Sequence, residues 1–302
     1  MNIKILSKSM IIVAIVSTVT LGVGDYVWKQ ENRPKVLEIY VFAMKSGRSI
    51  FVRTPEDKRI LIDGGANSDI ISELTKILPF YSRRIDSIIA TNSEGKDMAG
   101  LIDVLDRYNV GKIYMSKISI QSLGLGSSTD QIYGSFVECG SDLNVPISEI
   151  DAGRSISFDP SVTAEMLFPV SSSAFSYSKA SPPELLMEIS YKETSVVLLG
   201  NASVKVQKYL ASSTLSTPAQ ILIVSHSALP ANMSDKLVQK LRPQYLVYSK
   251  ALVVSSTAPK KTQKKPVVDP LSYLPESNKL NIKKVGTIHL ISDGRTFRVS
   301  DK

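Results

Sequence analysis

The 302-residue chain contains a single cysteine and only two histidines. Cys139 has no second thiol to pair with, so an intrachain disulfide is excluded and the redox compartment stays open. Two histidines and one cysteine do not furnish an ordinary Cys/His zinc site or a multi-histidine cluster. Glycine (16) and proline (15) are too few and too scattered for a collagen-like or low-complexity chain. With 43% hydrophobic and 21% charged residues, the composition also excludes a fully disordered chain and a coiled coil. A chain of this length suffices for one large α/β domain or two small ones. Lys+Arg 36 against Asp+Glu 28 leaves a net charge of +8, which favours anionic surroundings such as nucleic acid, phospholipid headgroups or acidic polymers.

The N-terminus has the pattern of a membrane address. Met10 to Gly24 carries no charge, with Lys4 and Lys8 before it and Asp25 after it. At about 1.5 Å per residue it reaches about 22 Å, short of a ~30 Å hydrocarbon core. Snorkelling by Lys8 and interfacial seating of Tyr26 and Trp28 would close that gap. The same features describe a signal peptide with Gly22 and Gly24 before Asp25, and a buried soluble helix is a third alternative. The expectation is an N-terminal membrane anchor or signal segment over 1–28. It would make a single-pass membrane protein with an extracytoplasmic body at 36–302.

From Val36 the pattern turns to short strands punctuated by turns. Val36 to Phe42, Ser49 to Arg53 and Arg59 to Ile62 predict an antiparallel meander that ends in Asp63-Gly64-Gly65. Asp69 to Leu78 has apolar residues at helical spacing, followed by a strand at Ile85 to Thr91, a helix at Met98 to Tyr108 and a strand at Lys112 to Met115. Residues 116–155 are rich in Ser and Gly and predict a helix and loops. Strands follow at Val162 to Phe168, Leu185 to Tyr191 and Ser195 to Leu199. Then helices at Val204 to Ser212 and Ser234 to Leu241 alternate with strands at Ala219 to Val224 and Gln244 to Tyr248. A hairpin of Val285 to Ile291 and Thr296 to Val299, turning at Asp293-Gly294, closes the chain. Ser255 to Lys284 is the one shift in composition. Seven Lys against Asp269 and Glu276, spaced by four prolines, predict a basic mobile loop.

Four stretches, Val52 to Gly65, Arg83 to Tyr114, Ile189 to Ser203 and Ala219 to Ser249, together resemble the metallo-β-lactamase superfamily. Within it, the similarity is greatest to the soluble domain of ComEC-type competence (DNA-uptake) proteins. The resemblance implies an α/β fold, an αββα sandwich of two mixed sheets flanked by helices, after an N-terminal transmembrane helix. It also implies a two-metal hydrolytic centre, in which bound ions lower the pKa of water towards ~7. The family's ligand run falls on Thr91 to Gly100. There Asn92 stands at the first His, Glu94 at the first Asp, Lys96 at the second Asp and Asp97 at the second His. Asn201 replaces the bridging Asp, Ser225-His226-Ser227-Ala228 replaces Pro-His-His-Gly, and Phe42 to Arg48 replaces the early Asp-rich loop. The resemblance therefore implies a retained scaffold with its metal site dismantled: no metal and no cofactor, with zinc or manganese as the alternative.

Individual residues sharpen the choice. His226 is read as a polar strand end and His289 as an ordinary strand position, since single imidazoles bind metal poorly. Asp63, Asp97 and Glu94 offer oxygens for a hard cation, but Lys96 beside them favours a structural salt bridge. Ser176-Tyr177-Ser178-Lys179 lacks the companion motifs of a serine acyl-enzyme, and Gly124-Leu125-Gly126 lacks those of a nucleotide loop. Lys260, Lys261, Lys264 and Lys265 are the candidate phosphate contacts. The expectation is a non-catalytic, membrane-anchored binding protein whose partner is DNA or an envelope protein. The rival is a metal-dependent hydrolase or nuclease using His226, Asp97, Glu94 and Asp63 in an altered site.

Overall fold

The computed structural model describes residues 10–18, 20, 33–79, 81–117, 128–173, 175–177, 183–212, 218–225, 233–249 and 271–300. His226, Ser227, Lys260, Lys261, Lys264 and Lys265 lie outside the described residues. The chain divides into two units, Met1–Lys35 and Val36–Lys302. In the first, residues 10–18 and Thr20 are helical, and Met10, Ile11, Ile12, Val13, Ile15 and Val16 are exposed. Among the described residues no helix is long and apolar enough to cross a membrane. The transmembrane helix expected at the N-terminus is therefore not among the described elements, and most of 1–28 lies outside them.

The second unit opens with β1 (Leu37–Val41), β2 (Ile50–Arg53) and β3 (Arg59–Ile62). Next come α1 (Asp69–Ile77), β4 (Arg84–Ile85), β5 (Ser87–Ala90), α2 (Gly95–Arg107), β6 (Asn109–Val110) and β7 (Ile113–Met115). They are followed by α3 (Ser128–Asp142), β8 (Ile147–Glu149), β9 (Ser155–Asp159), β10 (Val162–Phe168), β11 (Leu186–Tyr191) and β12 (Thr194–Gly200). The remainder is α4 (Val204–Ser212), β13 (Ile221–Val224), α5 (Asp235–Leu241), β14 (Tyr245–Tyr248), β15 (Lys279–Asn281), α6 (Ile282–Val285), β16 (Ile288–Ser292) and β17 (Phe297–Val299).

Two sheets carry the fold. The first runs β17-β16-β1-β2-β3-β5-β7-β8, and the second runs β15-β14-β13-β12-β11-β10-β9. Each is antiparallel on one side and parallel on the other, with the change at β3 and at β12. Alternation decides the inner face: Leu37, Ile39 and Val41 of β1 point between the sheets, where they meet Ala164, Ile189 and Val196. The central runs Arg59–Ile62 and Ile221–Val224 are buried at every position because helices cover their outer faces. On the first sheet, Ile70 and Leu74 of α1 and Leu101 and Val104 of α2 fill that outer layer. On the second, Leu210 of α4 and Leu237 and Leu241 of α5 do the same. The result is the expected layering, helices, sheet, sheet, helices.

The Asp63-Gly64-Gly65 turn is explained by α2. The backbones touch: Gly64 N–H donates to the Asp97 carbonyl at 2.7 Å, and Gly100 N–H donates to the Gly65 carbonyl at 3.0 Å. A Cβ on Gly100 would stand 2.1 Å from the Gly64 carbonyl oxygen. Three expectations need correction. Helix α2 starts at Gly95, not Met98, which puts Asp97 in its first turn. Strand β8 lies in the stretch read as helix and loops, and β9 begins at its last residue and runs on through residues assigned no element. The end of the basic loop is ordered: Leu271 and Leu274 are buried under the second sheet, and β15 extends that sheet parallel to β14. Burying two leucines contributes on the order of 2 kcal/mol each, and the high Lys count hid this anchor.

Candidate functional site

The parallel strands of both sheets end on the same edge, where side chains from consecutive elements converge. Asp63 follows β3, Thr91 and Asn92 follow β5, Asn201 follows β12, and Ser225 follows β13. Leu185 N–H donates to the Thr91 carbonyl at 2.6 Å, a bond from the segment entering β11 to the end of β5. It delivers Glu184 to the same edge. Gly200, at φ +47°, leaves the room Glu184 needs, since a Cβ there would overlap the carboxylate.

At the centre stands Arg48, from the loop between β1 and β2. Its Nε donates to Asp63 Oδ2 at 2.8 Å, Nη2 to Thr91 Oγ1 at 2.7 Å and Nη1 to Ser225 Oγ at 2.9 Å. Nη1 also pairs closely with Glu184 Oε1, and Nη2 lies 3.6 Å from Asp97 Oδ2. The Arg48 backbone N–H donates to Asp97 Oδ1 at 3.0 Å. Asp63 accepts twice more, from Thr91 N–H at 2.8 Å and from the Thr91 hydroxyl at 2.7 Å. The side chains of Asp63 and Asp97 are 1% and 2% exposed, Glu184 13% and Arg48 17%. A planar guanidinium with five donors in a fixed fork suits such a ring of carboxylates.

One guanidinium against three carboxylates leaves a formal charge of −2 in a largely dry site. Burial pushes the Glu184 carboxyl up to about 7, although Arg48 and the Asn201 N–H pull the other way. Burial likewise raises Asp63 above the ordinary carboxylate range against the pull of Arg48. Burial works to lower Arg48, but Glu184, Asp63 and Asp97 outweigh it and hold it above its ordinary value. Arg48 is therefore a permanent cation, and Glu184 is the member of the cluster poised to take a proton near neutrality.

The predicted residues divide sharply. Asp63 and Asp97 belong to the cluster. Asn92 is buried and supports it, donating Nδ2 to Asp97 Oδ2 at 2.9 Å while its Oδ1 accepts Glu94 N–H at 2.7 Å. Glu94 and Lys96 pair with each other, half-exposed, so the cation at the site is Arg48 and not Lys96. Asn201 donates its backbone N–H to Glu184 Oε2 at 2.8 Å. His289 stacks on Tyr40 with ring centroids 4.0 Å apart and lies 3.2 Å from Glu38, on the β1–β16 ladder. Thr91, Ser225 and Arg48 fall inside the runs matched to the family's ligand motifs but were assigned no part in a site, and Glu184 was not singled out at all. The signal available was a lone Arg in a turn and a Glu after two prolines, neither of which has a periodicity to flag it.

The donor set does not fit a pair of metal ions. The oxygens of Asp63 and Asp97 are engaged by Arg48, Thr91 and Asn92, and the guanidinium lies among them. Among the described residues no group of three or more His, Cys, Asp or Glu is arranged to hold a metal.

Beside the cluster opens a cavity of about 340 Å³. Phe168, Phe175 and Tyr177 line it together with Asn92, Glu184, Asn201 and Lys205. Phe175 and Tyr177 lie near parallel at 6.3 Å, and Phe168 meets them edge-on at 5.1 and 5.8 Å.

No family model and no curated protein matches the chain. Among solved structures, it is similar to a CmlA beta-hydroxylase mutant at 18% identity and TM-score 0.46, covering 71% of this chain and 46% of that one. It is similar to the Rm3 metallo-beta-lactamase at 16% and 0.42, covering 67% and 78%. Tm1679, a metal-dependent hydrolase of the beta-lactamase superfamily, matches at 12% and 0.46, covering 70% and 87%. The chain thus spans just under half the length of the first of these. Distant likenesses of this kind assign neither a family nor an activity.

Proposed function

We propose that the chain is a non-hydrolytic binding protein on an αββα scaffold of the metallo-β-lactamase type, with Arg48 as the resident cation of its strand-end site. The observation that carries this reading is the Arg48 fork, which engages Asp63, Glu184, Thr91 and Ser225 at once and lies against Asp97. Hydrolysis of the superfamily's kind needs carboxylates free to hold ions and a water activated between them. Here Asp63 and Asp97 are committed to a side chain that carries its charge at any physiological pH. The rival reading, a hydrolase built on Asp63, Asp97, Glu94 and His226, loses its first two donors to Arg48 and its third to Lys96. In this reading the N-terminal apolar run holds the chain at a membrane with the body outside. The basic run over 255–284 makes DNA the anionic partner to examine, with an envelope protein as the alternative.

The test is metal content of the full-length chain, stripped with chelator, exposed to Zn²⁺ or Mn²⁺ and desalted. Retention below about a tenth of an equivalent is expected, since a metal site needs deprotonated ligands not already engaged. One or two tightly held equivalents would overturn the proposal.

A further inference from the structure

The cavity beside Glu184 is unassigned by anything above. Resting on the binding-protein reading, we propose that it takes a protonated amine carried on a flat, apolar or aromatic body. Three observations converge on that class.

The first is charge. Asp63 and Asp97 are sealed from solvent, so Glu184 is the member of the net-negative cluster that borders the cavity. Glu94 lines the same cavity, paired with Lys96, and Lys205 lines it too, with its Nζ over Phe175. An ammonium placed against Glu184 offsets charge that Arg48 leaves uncompensated, whereas a carboxylate or phosphate there adds to it.

The second is the wall. Aromatic faces carry the negative lobe of the ring quadrupole and attract cations. The attraction is already in use: Lys205 Nζ lies 5.0 Å over the centroid of Phe175. A ring with an amine on a short arm can lie on Tyr177 while the amine reaches Glu184.

The third is size and polarity. A volume of about 340 Å³ falls within the range of small-molecule sites, about 300–1,000 Å³. Asn201 N–H donates to Glu184 Oε2 at 2.8 Å, and Phe168, Phe175 and Tyr177 pack on one another, so the lining offers both a carboxylate group and an aromatic group. A ligand with a polar head on an aromatic body can use both.

The experiment compares three probes with one body and different heads, tryptamine, tryptophol and indole-3-acetate, titrated calorimetrically into the full-length chain at pH 8. Tryptamine is expected to bind about tenfold or more tightly than tryptophol, and indole-3-acetate most weakly, a tenfold step being about 1.4 kcal/mol. Glu184→Gln should bring tryptamine to the tryptophol level and leave tryptophol unchanged. Tyr177→Ala should weaken both probes together, and a circular-dichroism melt confirms that each variant is folded. Equal affinity for all three heads, preference for indole-3-acetate through Lys205, no binding at all, or tryptamine binding indifferent to Glu184→Gln in a folded variant would each overturn the inference. Metal content is read separately. An amine preference with tightly held zinc would sink the non-hydrolytic reading and leave this one standing, and the reverse pattern would do the opposite.

Discussion

Replacing Arg48 by methionine keeps a side chain of similar length and removes the cation that three carboxylates share. The effect on each differs. Asp63 still accepts from the Thr91 N–H and hydroxyl, and Asp97 still accepts from Asn92. Glu184 keeps the Asn201 N–H. Removing one partner of a buried ion pair costs about 3–5 kcal/mol, against a total stability of about 5–15 kcal/mol for a whole domain. The orphaned carboxylates have one relief, which is to bind protons. The folded-state pKa values of Asp63 and Glu184, already raised by burial, then rise further above the unfolded ones, so stability is lost as pH rises through the folded values and regained in acid. Arg48→Met should therefore lose about 4 kcal/mol at pH 8 and about 2 kcal/mol at pH 5, since each pKa unit is worth 1.36 kcal/mol. Urea denaturation of both proteins at the two pH values measures this directly. A loss below about 1 kcal/mol, or an equal loss at both, would refute the cluster as an electrostatic unit.

Two further outcomes follow from the same geometry. Glu184 sits at about 7 when folded against an ordinary value of 4.5, so its raised pKa favours the folded state in acid. Stability should fall by up to about 3 kcal/mol as pH rises from 4.5 to 7 and level off above, and Glu184→Gln should remove that slope in urea titrations. Gly100→Ala would drive a methyl group into the Gly64 and Asn67 carbonyls, at 2.1 and 2.6 Å, across rigid backbone on both sides. A loss of about 3 kcal/mol or more is expected in thermal melts, and a neutral result would mean that α2 does not pack on the Asp63-Gly64-Gly65 turn as described.

Much of the fold was legible because its signals are local. The alternation in Leu37–Val41 and the helical spacing of Ile70 and Leu74 are both properties of short windows. The strand Thr194–Gly200 and the helix Val204–Ser212 fall where apolar runs and turn residues put them. Strand β9 was missed because only Ile156, Phe158 and Asp159 of its five residues are buried, within a Ser-rich context. The ordering of residues 271–284 was missed because its Lys content outvoted Leu271 and Leu274, whose burial depends on distant α5 and β14. The replaced ligand positions were readable one by one, yet what replaced the metals was not. Arg48 is separated from Ser225 by 177 positions, and no window of sequence contains both.

Residue type and spacing alone gave most strands and helices in their order along the chain, the turn at Asp63-Gly64-Gly65 and the absence of imidazoles from the Thr91 to Gly100 run, while the layering of two sheets came only from the resemblance. Tertiary structure decided the chemistry of the site. Only when β3, β5, β12 and β13 end on one edge do Asp63, Asp97 and Glu184 come close enough for their charges to require a counter-ion, and only then does the β1–β2 loop supply Arg48 to meet them. Coulomb energy depends on distance and on the water excluded between charges, and folding sets both.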